Sequence, residues 1–305
     1  MEKRRIGSLE VSVVGLGCNN FGGRLDAAAT ERVVLGALDA GINFMDTADI
    51  YGGTRSEEYM GLALAARRDE VVLATKFGGR IDDERRGARG EYVRRALEDS
   101  LRRLKTDRID LYQLHMPDPE TPIAETLGVL DELVQAGKVR EIGCSNFSVD
   151  QLREADSAAV GAKFVSVQND YSVLKRDPEA GVLDECARLG QGFLPYFPLA
   201  SGLLTGKYRK GTPLPEGTRL AGAQNPERFL NERNVEITET LITFAESRGR
   251  TILELAFSWL LSRPVVSSVI AGATRVDQIA ANVGAAGWKL TPEELAVIDR
   301  LAPVG

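Results

Sequence analysis

Histidine occurs once in the 305 residues, at His115, and cysteine three times, at Cys18, Cys144 and Cys186. One imidazole and three scattered thiols cannot supply the usual nitrogen and sulfur ligands of a zinc or iron site, so no metal is expected. The cysteines are odd in number and lack CxxC spacing, which argues against a disulfide framework and for a reducing cytoplasm. No apolar run approaches the roughly 18 residues of a membrane-spanning helix. Met1-Glu2-Lys3-Arg4-Arg5-Ile6-Gly7 is charged but is not followed by the apolar stretch of a secretory signal. A basic excess is missing too: 38 Lys and Arg against 44 Asp and Glu leave a net charge of −6. No overall field would hold a nucleic-acid backbone. Any anionic ligand must be met by local cations and backbone amides.

The sequence does contain eight short β-branched or apolar runs: Val11 to Gly17, Ile42 to Asp46, Glu70 to Thr75, Ile109 to His115, Val139 to Ser145, Phe164 to Gln168, Gly192 to Phe197 and Val266 to Ala271. Helix-length segments separate them. In Glu91 to Lys105, for instance, Val93, Leu97, Leu101 and Leu104 share one face. Apolar strands divided by helices imply a parallel sheet, because parallel neighbours need a crossover connection. Eight evenly spaced units favour a closed (β/α)8 TIM barrel, in the α/β class, over a doubly wound open sheet. No linker divides the chain, so residues 1–305 are expected to form a single domain. Residues 2 to 13 read as a β-hairpin turning at Gly7-Ser8, placed to plug the bottom of the barrel. The stretch from Leu199 to Asn234, after strand seven, is too long for an ordinary connection and is expected to be functional or disordered.

Chemistry in such a barrel gathers at the C-terminal ends of the strands. Strand two ends in Asp46, followed by Tyr51, strand three in Thr75-Lys76, and strand four in Leu114-His115. Neighbouring strands bring these ends within reach of one another. A tyrosine titrates near pH 10 in water, and a nearby ammonium favours the phenolate, so Lys76 is expected to lower the pKa of Tyr51. Asp46 would pair with Lys76, and His115 would hydrogen-bond a substrate carbonyl. Each residue alone has a plainer explanation: a strand-end hydrogen bond for His115, a rim ion pair for Lys76, a turn or cap for Asp46. Four such groups at three consecutive strand ends favour a site.

These residues, together with Asp46-Thr47-Ala48, Tyr51-Gly52, Ser145-Asn146-Phe147 and Gln168-Asn169-Asp170-Tyr171, resemble the aldo-keto reductase family along nearly the whole chain. The resemblance implies a TIM barrel that uses NADPH, less often NADH, to reduce aldehydes and ketones. It also implies a catalytic tetrad of Asp46, Tyr51, Lys76 and His115, with Tyr51 as general acid. Gly15-Leu16-Gly17-Cys18-Asn19-Asn20 is no Rossmann fingerprint, since its sixth residue is not glycine. By the same resemblance Ser145, Asn146 and Gln168, with Asp46 close by, hold the nicotinamide amide, and Tyr196 stacks on its ring. Leu199, Ser201, Gly202, Lys207 and Arg219 belong to a loop that clamps the pyrophosphate. Gly272, Thr274, Gln278 and Asn282 meet the adenosine part, at a helix N-terminus suited to phosphate. Arg275 is placed for a 2′-phosphate, favouring NADP(H) while leaving NAD(H) possible. Two departures stand out: Ala281, where many members carry glutamate, and Met116, where many carry tryptophan. The expected substrate pocket comprises Tyr51, His115, Met116, Phe21, Ile50 and Phe77, although the apolar members could equally be barrel-top packing. The partner is a small carbonyl compound, with neither nucleic acid nor membrane involved. A dehydrogenase acting on sugars or alcohols, and a cofactor-binding regulatory subunit like the potassium-channel beta subunits, remain open alternatives.

Overall fold

The computed structural model describes residues 1–304. The chain opens with an antiparallel pair, β1 (Lys3–Ile6) and β2 (Leu9–Ser12), turning at Gly7-Ser8, where Gly7 takes a φ of +54° that side chains rarely adopt. Eight more strands follow: β3 (Val14–Gly17), β4 (Phe44–Asp46), β5 (Val72–Phe77), β6 (Ile109–Leu114), β7 (Val139–Ser145), β8 (Phe164–Asp170), β9 (Gly192–Tyr196) and β10 (Val269–Gly272). They form one sheet in the order β10-β3-β4-β5-β6-β7-β8-β9, with every neighbouring pair parallel. A parallel bridge between Phe193 and Val266 draws its two ends together into a nearly closed barrel. Around it run α1 (Ala27–Asp39), α2 (Arg55–Ala63), α3 (Gly90–Leu104), α4 (Ile123–Gln135), α5 (Val149–Ala158), α6 (Val182–Leu189), α7 (Glu232–Glu246), α8 (Ile252–Leu261), α9 (Val276–Ala285) and α10 (Pro292–Leu301). No helix among the described residues is long and apolar enough to cross a membrane.

The barrel and the hairpin agree with the sequence reading. Several strand bounds do not: Glu70 to Thr75 becomes Val72–Phe77, and Val266 to Ala271 becomes Val269–Gly272. The run from Val11 to Gly17 is divided between β2 and β3, because Ser12 ties the chain down locally: its N–H donates to Asn43 Oδ1 at 2.7 Å and its hydroxyl to the Val14 carbonyl at 2.7 Å. The helices start where local chemistry expects them to. Ser148 with Gln151, Thr251 with Glu254 and Thr291 with Glu294 form reciprocal caps that satisfy the free amides at the starts of α5, α8 and α10.

Side chains alternate across a strand, so residues two apart share a face. Phe44, Ala74, Leu111, Leu194 and Ile270 make one apolar cluster with Ile6, Leu9 and Val11 of the hairpin. The hairpin therefore closes this end of the barrel. Two residues further along the same faces come Asp46, Lys76, Gln113 and Tyr196. The alternation that builds the apolar floor thus delivers a polar layer above it, at the C-terminal ends of the strands.

The stretch after β9 is neither featureless nor detached. It holds two short 3-10 turns, Ala200–Thr205 and Pro226–Arg228, before α7 begins. Arg24, in the loop after β3, reaches across and donates to the Gly217 carbonyl at 2.9 Å.

Candidate active site

The polar layer is a connected network. Lys76 is fully buried, and its ammonium donates to Asp46 Oδ2 at 2.5 Å, to the Thr47 carbonyl at 2.8 Å and to the Tyr51 hydroxyl at 3.4 Å. The other Asp46 oxygen, Oδ1, accepts from Gln113 Nε2 at 2.9 Å and from Gln168 Nε2 at 3.0 Å. Both members of a buried ion pair are thus hydrogen-bonded on all sides, the condition under which such a pair is tolerated. Burial opposes the charge on Lys76, but Asp46 and then Tyr51 outweigh it and hold the ammonium above its ordinary pKa.

Tyr51 lies above Lys76, and its ring meets that of His115 edge to face with centroids 5.8 Å apart. The expected lowering of the Tyr51 pKa is overturned. Burial raises it above 10, and the opposing pull of Lys76 is too small to reverse this. The phenol therefore keeps its proton at neutral pH. His115 moves the other way: burial first, then the Lys76 charge, depress it to about 3. Its Nδ1 is buried without a partner among the described residues, and His115 lines, with Tyr51, a cleft of about 680 Å³. A neutral imidazole faces the same space as a protonated phenol.

Beyond Tyr51 the cleft runs across the mouth of the barrel. At its inner end Asn146 sits in the left-handed region at φ 63°, where asparagine is among the better tolerated residues. Its amide donates to the His115 carbonyl at 3.0 Å and to Ser145 Oγ at 3.1 Å, and its Oδ1 accepts from the Tyr196 hydroxyl at 2.8 Å. Leu199, Ser201, Gly202, Lys207 and Arg219 line the cleft as well. Arg219 lies over the Phe197 ring, 5.4 Å from its centroid, and burial followed by repulsion from Arg24 lowers its pKa. Gly272, Thr274, Arg275, Gln278 and Asn282 line the outer end, together with Ala281. There Gln278 Oε1 accepts from the Thr274 N–H at 2.8 Å, while Arg275 is held by Asp277 through two bonds of 2.9 and 2.8 Å.

Every residue expected to hold the cofactor lines this one cleft. The substrate wall fares differently. Met116 is at the mouth, half exposed. Phe21, Ile50 and Phe77 are not in the cleft lining; Phe21 and Phe77 are fully buried, and Phe77 stacks on Tyr112 at 4.6 Å. Since Lys76 faces the interior, the next residue along must face outward. The cleft also uses Asn20, Arg24, Phe197 and Thr218, which the sequence reading left aside. Gln113 was missed as well, although a polar residue two before His115 in an otherwise apolar strand end was a usable signal.

A second buried charge cluster lies behind the first. Asp49, whose N–H donates to the Lys76 carbonyl at 3.1 Å, is fully buried, and its Oδ1 has no partner among the described residues. Glu57, also buried, takes the nearby cation, accepting from Arg103 Nε at 2.7 Å and from Thr75 Oγ1 at 2.5 Å. Burial, then the Glu57 charge, raise the Asp49 carboxyl to about 7.

Comparison with known proteins points in one direction. The model of the aldo/keto reductase family matches residues 13–303. A probable aldo-keto reductase 1 of Glycine max is 34% identical over 97% of this chain and 87% of its own length. The aldo-keto reductase YhdN of Bacillus subtilis is 36% identical over 96% of this chain and 90% of its own. Among solved structures, the holo form of aldo-keto reductase AKR11C1 from Bacillus halodurans superposes with a TM-score of 0.83 at 35% identity, covering 100% of this chain and 97% of the other. The glycerol dehydrogenase AKR11B4 from Gluconobacter oxydans gives 0.84 at 32% identity, over 98% and 94%. With a barrel, a hairpin and a strand-end cleft of this kind, the chain belongs to the aldo/keto reductase family, whose members are NAD(P)H-dependent carbonyl oxidoreductases.

Proposed function

We propose that this protein, acting as one domain in the cytoplasm, reduces a small aldehyde or ketone with NADPH, and that Tyr51 protonates the carbonyl oxygen. The observation that carries the reading is the chain Asp46, Lys76, Tyr51, buried and hydrogen-bonded, ending at the cleft beside His115. The cleft suits a nicotinamide dinucleotide. Its lining includes the amide and hydroxyl groups of Ser145, Asn146 and Gln168 and the cations Lys207, Arg219 and Arg275. When bound, the nicotinamide supplies the hydride. The phenol of Tyr51, still protonated, gives its proton to the oxygen as negative charge develops there, and the Lys76 ammonium stabilises the phenolate left behind. Asp46 keeps Lys76 in place. His115, neutral across the working pH range, donates from Nε2 to the same oxygen and fixes its position.

Arg275 favours NADPH, because its guanidinium can take a 2′-phosphate that NADH lacks. The free, buried state of all three cysteines accords with a reducing compartment. Run in reverse, the same groups would oxidise an alcohol, a direction supported by the likeness to a glycerol dehydrogenase. The test is to titrate NADPH and NADH, then assay a panel of small aldehydes and polyols with the parent and with Tyr51→Phe. Loss of the general acid should lower kcat by about 10²–10⁴ while cofactor affinity holds. Equal rates would remove Tyr51 from the reaction. Tight NADPH binding with no turnover of any panel member would favour a regulatory subunit.

A further inference from the structure

Gln113 has no part in the reaction scheme above, yet it occupies the centre of the buried network. It is fully buried on β6, two residues before His115 and on the same face. An ionised carboxylate only accepts hydrogen bonds. With Lys76 at 2.5 Å from its other oxygen, Asp46 is such a carboxylate, so the side-chain atom that Gln113 presents to Asp46 Oδ1 at 2.9 Å must be its NH2 group. The same logic assigns the Gln168 atom at 3.0 Å from Oδ1. The remaining contact, 3.3 Å between Gln168 Nε2 and Gln113 Oε1, is then donor to acceptor. The three side chains admit one consistent set of amide orientations.

The consequence falls on Gln168. Its NH2 group is committed twice on the inner side, to Asp46 and to Gln113. Its Oε1 has no partner among the described residues, and Gln168 lines the cleft. We infer that Gln113 is a positioning residue that holds the Gln168 amide with its carbonyl oxygen toward the cleft, so that this site offers an acceptor to the NH2 group of a nicotinamide carboxamide. Without Gln113 the Gln168 NH2 group keeps only its bond to Asp46 Oδ1, so the amide can swing about that single contact and its carbonyl oxygen is no longer held toward the cleft. The inference rests on the nicotinamide placement proposed above. It adds that the acceptor is set from behind, by a residue that never touches the ligand.

The test uses the whole purified protein and three probes: NADPH, NADH, and 2′-phospho-ADP-ribose, which lacks the nicotinamide. Affinities are read by protein fluorescence or calorimetry, independently of turnover. Gln113→Met keeps the volume and removes both hydrogen bonds; it should weaken NADPH and NADH alike by about fivefold and leave the fragment unchanged. Gln113→Glu should keep parental affinity while its carboxyl is protonated, donating to Asp46 and accepting from Gln168, and lose it as pH rises. It also serves if the methionine variant fails to fold. In a double-mutant cycle, Gln168→Leu should abolish the effect of Gln113→Met. Equal weakening of all three probes, or unchanged NADPH affinity in Gln113→Met, overturns the inference. If the parent binds the fragment as tightly as NADPH, the nicotinamide placement fails first and Gln113 loses its role with it.

Discussion

At the inner end of the cleft Asp46, Lys76, Gln113 and Gln168 are buried and bonded to one another, whereas at the outer end Arg275 and Asp277 bind each other with 66% of each side chain in solvent. Both ends contain an ion pair. Only the inner one is shielded from water and supported by amides. A charge removed from such a place leaves its partner stranded, while an exposed pair contributes little and exchanges readily with water and salt. The barrel therefore invests its rigidity where a proton and a hydride would meet, and leaves the end that would read the adenosine adjustable.

The sharpest way to break this contrast is Lys76→Met. Asp46 loses its cation inside the barrel, and the fold should lose about 3–5 kcal/mol, measured by urea unfolding, along with most carbonyl reduction. A change of less than about 1 kcal/mol would mean the inner pair is no better shielded than a surface one. Arg275→Ala comes next. NADPH should bind about tenfold more weakly, measured by fluorescence titration, while NADH stays within about twofold and stability is unchanged. An equal loss for both cofactors would remove the 2′-phosphate from Arg275. The smallest effect belongs to Asp277→Asn. It frees the guanidinium from a competing carboxylate, so NADPH should tighten by about two- to threefold, an increment that shrinks with added salt.

Much of the inner end was legible because it follows from strand arithmetic. Once Asp46, Lys76 and His115 are placed at consecutive strand ends, alternation and parallel register bring them to one side of the sheet. The same arithmetic accounts for the rest. Of the two readings open for Phe77, pocket wall or barrel-top packing, alternation selects the second: next to the inward Lys76 it points outward, against Tyr112. Gln113 was passed over because its strand reads as apolar, and its value depends on where Asp46 and Gln168 lie, 67 and 55 residues away. The direction of the Tyr51 shift was missed for a related reason. A neighbouring charge can be read from a motif, but the depth of burial that outweighs it is a property of the closed barrel. The division of Val11 to Gly17 between two strands depends on Asn43, which no local pattern links to Ser12.

Asp49 couples this architecture to acidity. Its carboxyl releases its proton near pH 7 in the native protein and near about 3.9 in the unfolded chain. Folding therefore takes up a proton between those values, and for this group the native state is most favoured at the acid end of that window. Stability drains away as pH climbs toward 7 and then levels off, opposite in sign to the usual salt-bridged aspartate. Asp49 and Tyr51 share the segment between β4 and α2, so this acid-favoured share of the stability originates beside the phenol, where Lys76 keeps its charge.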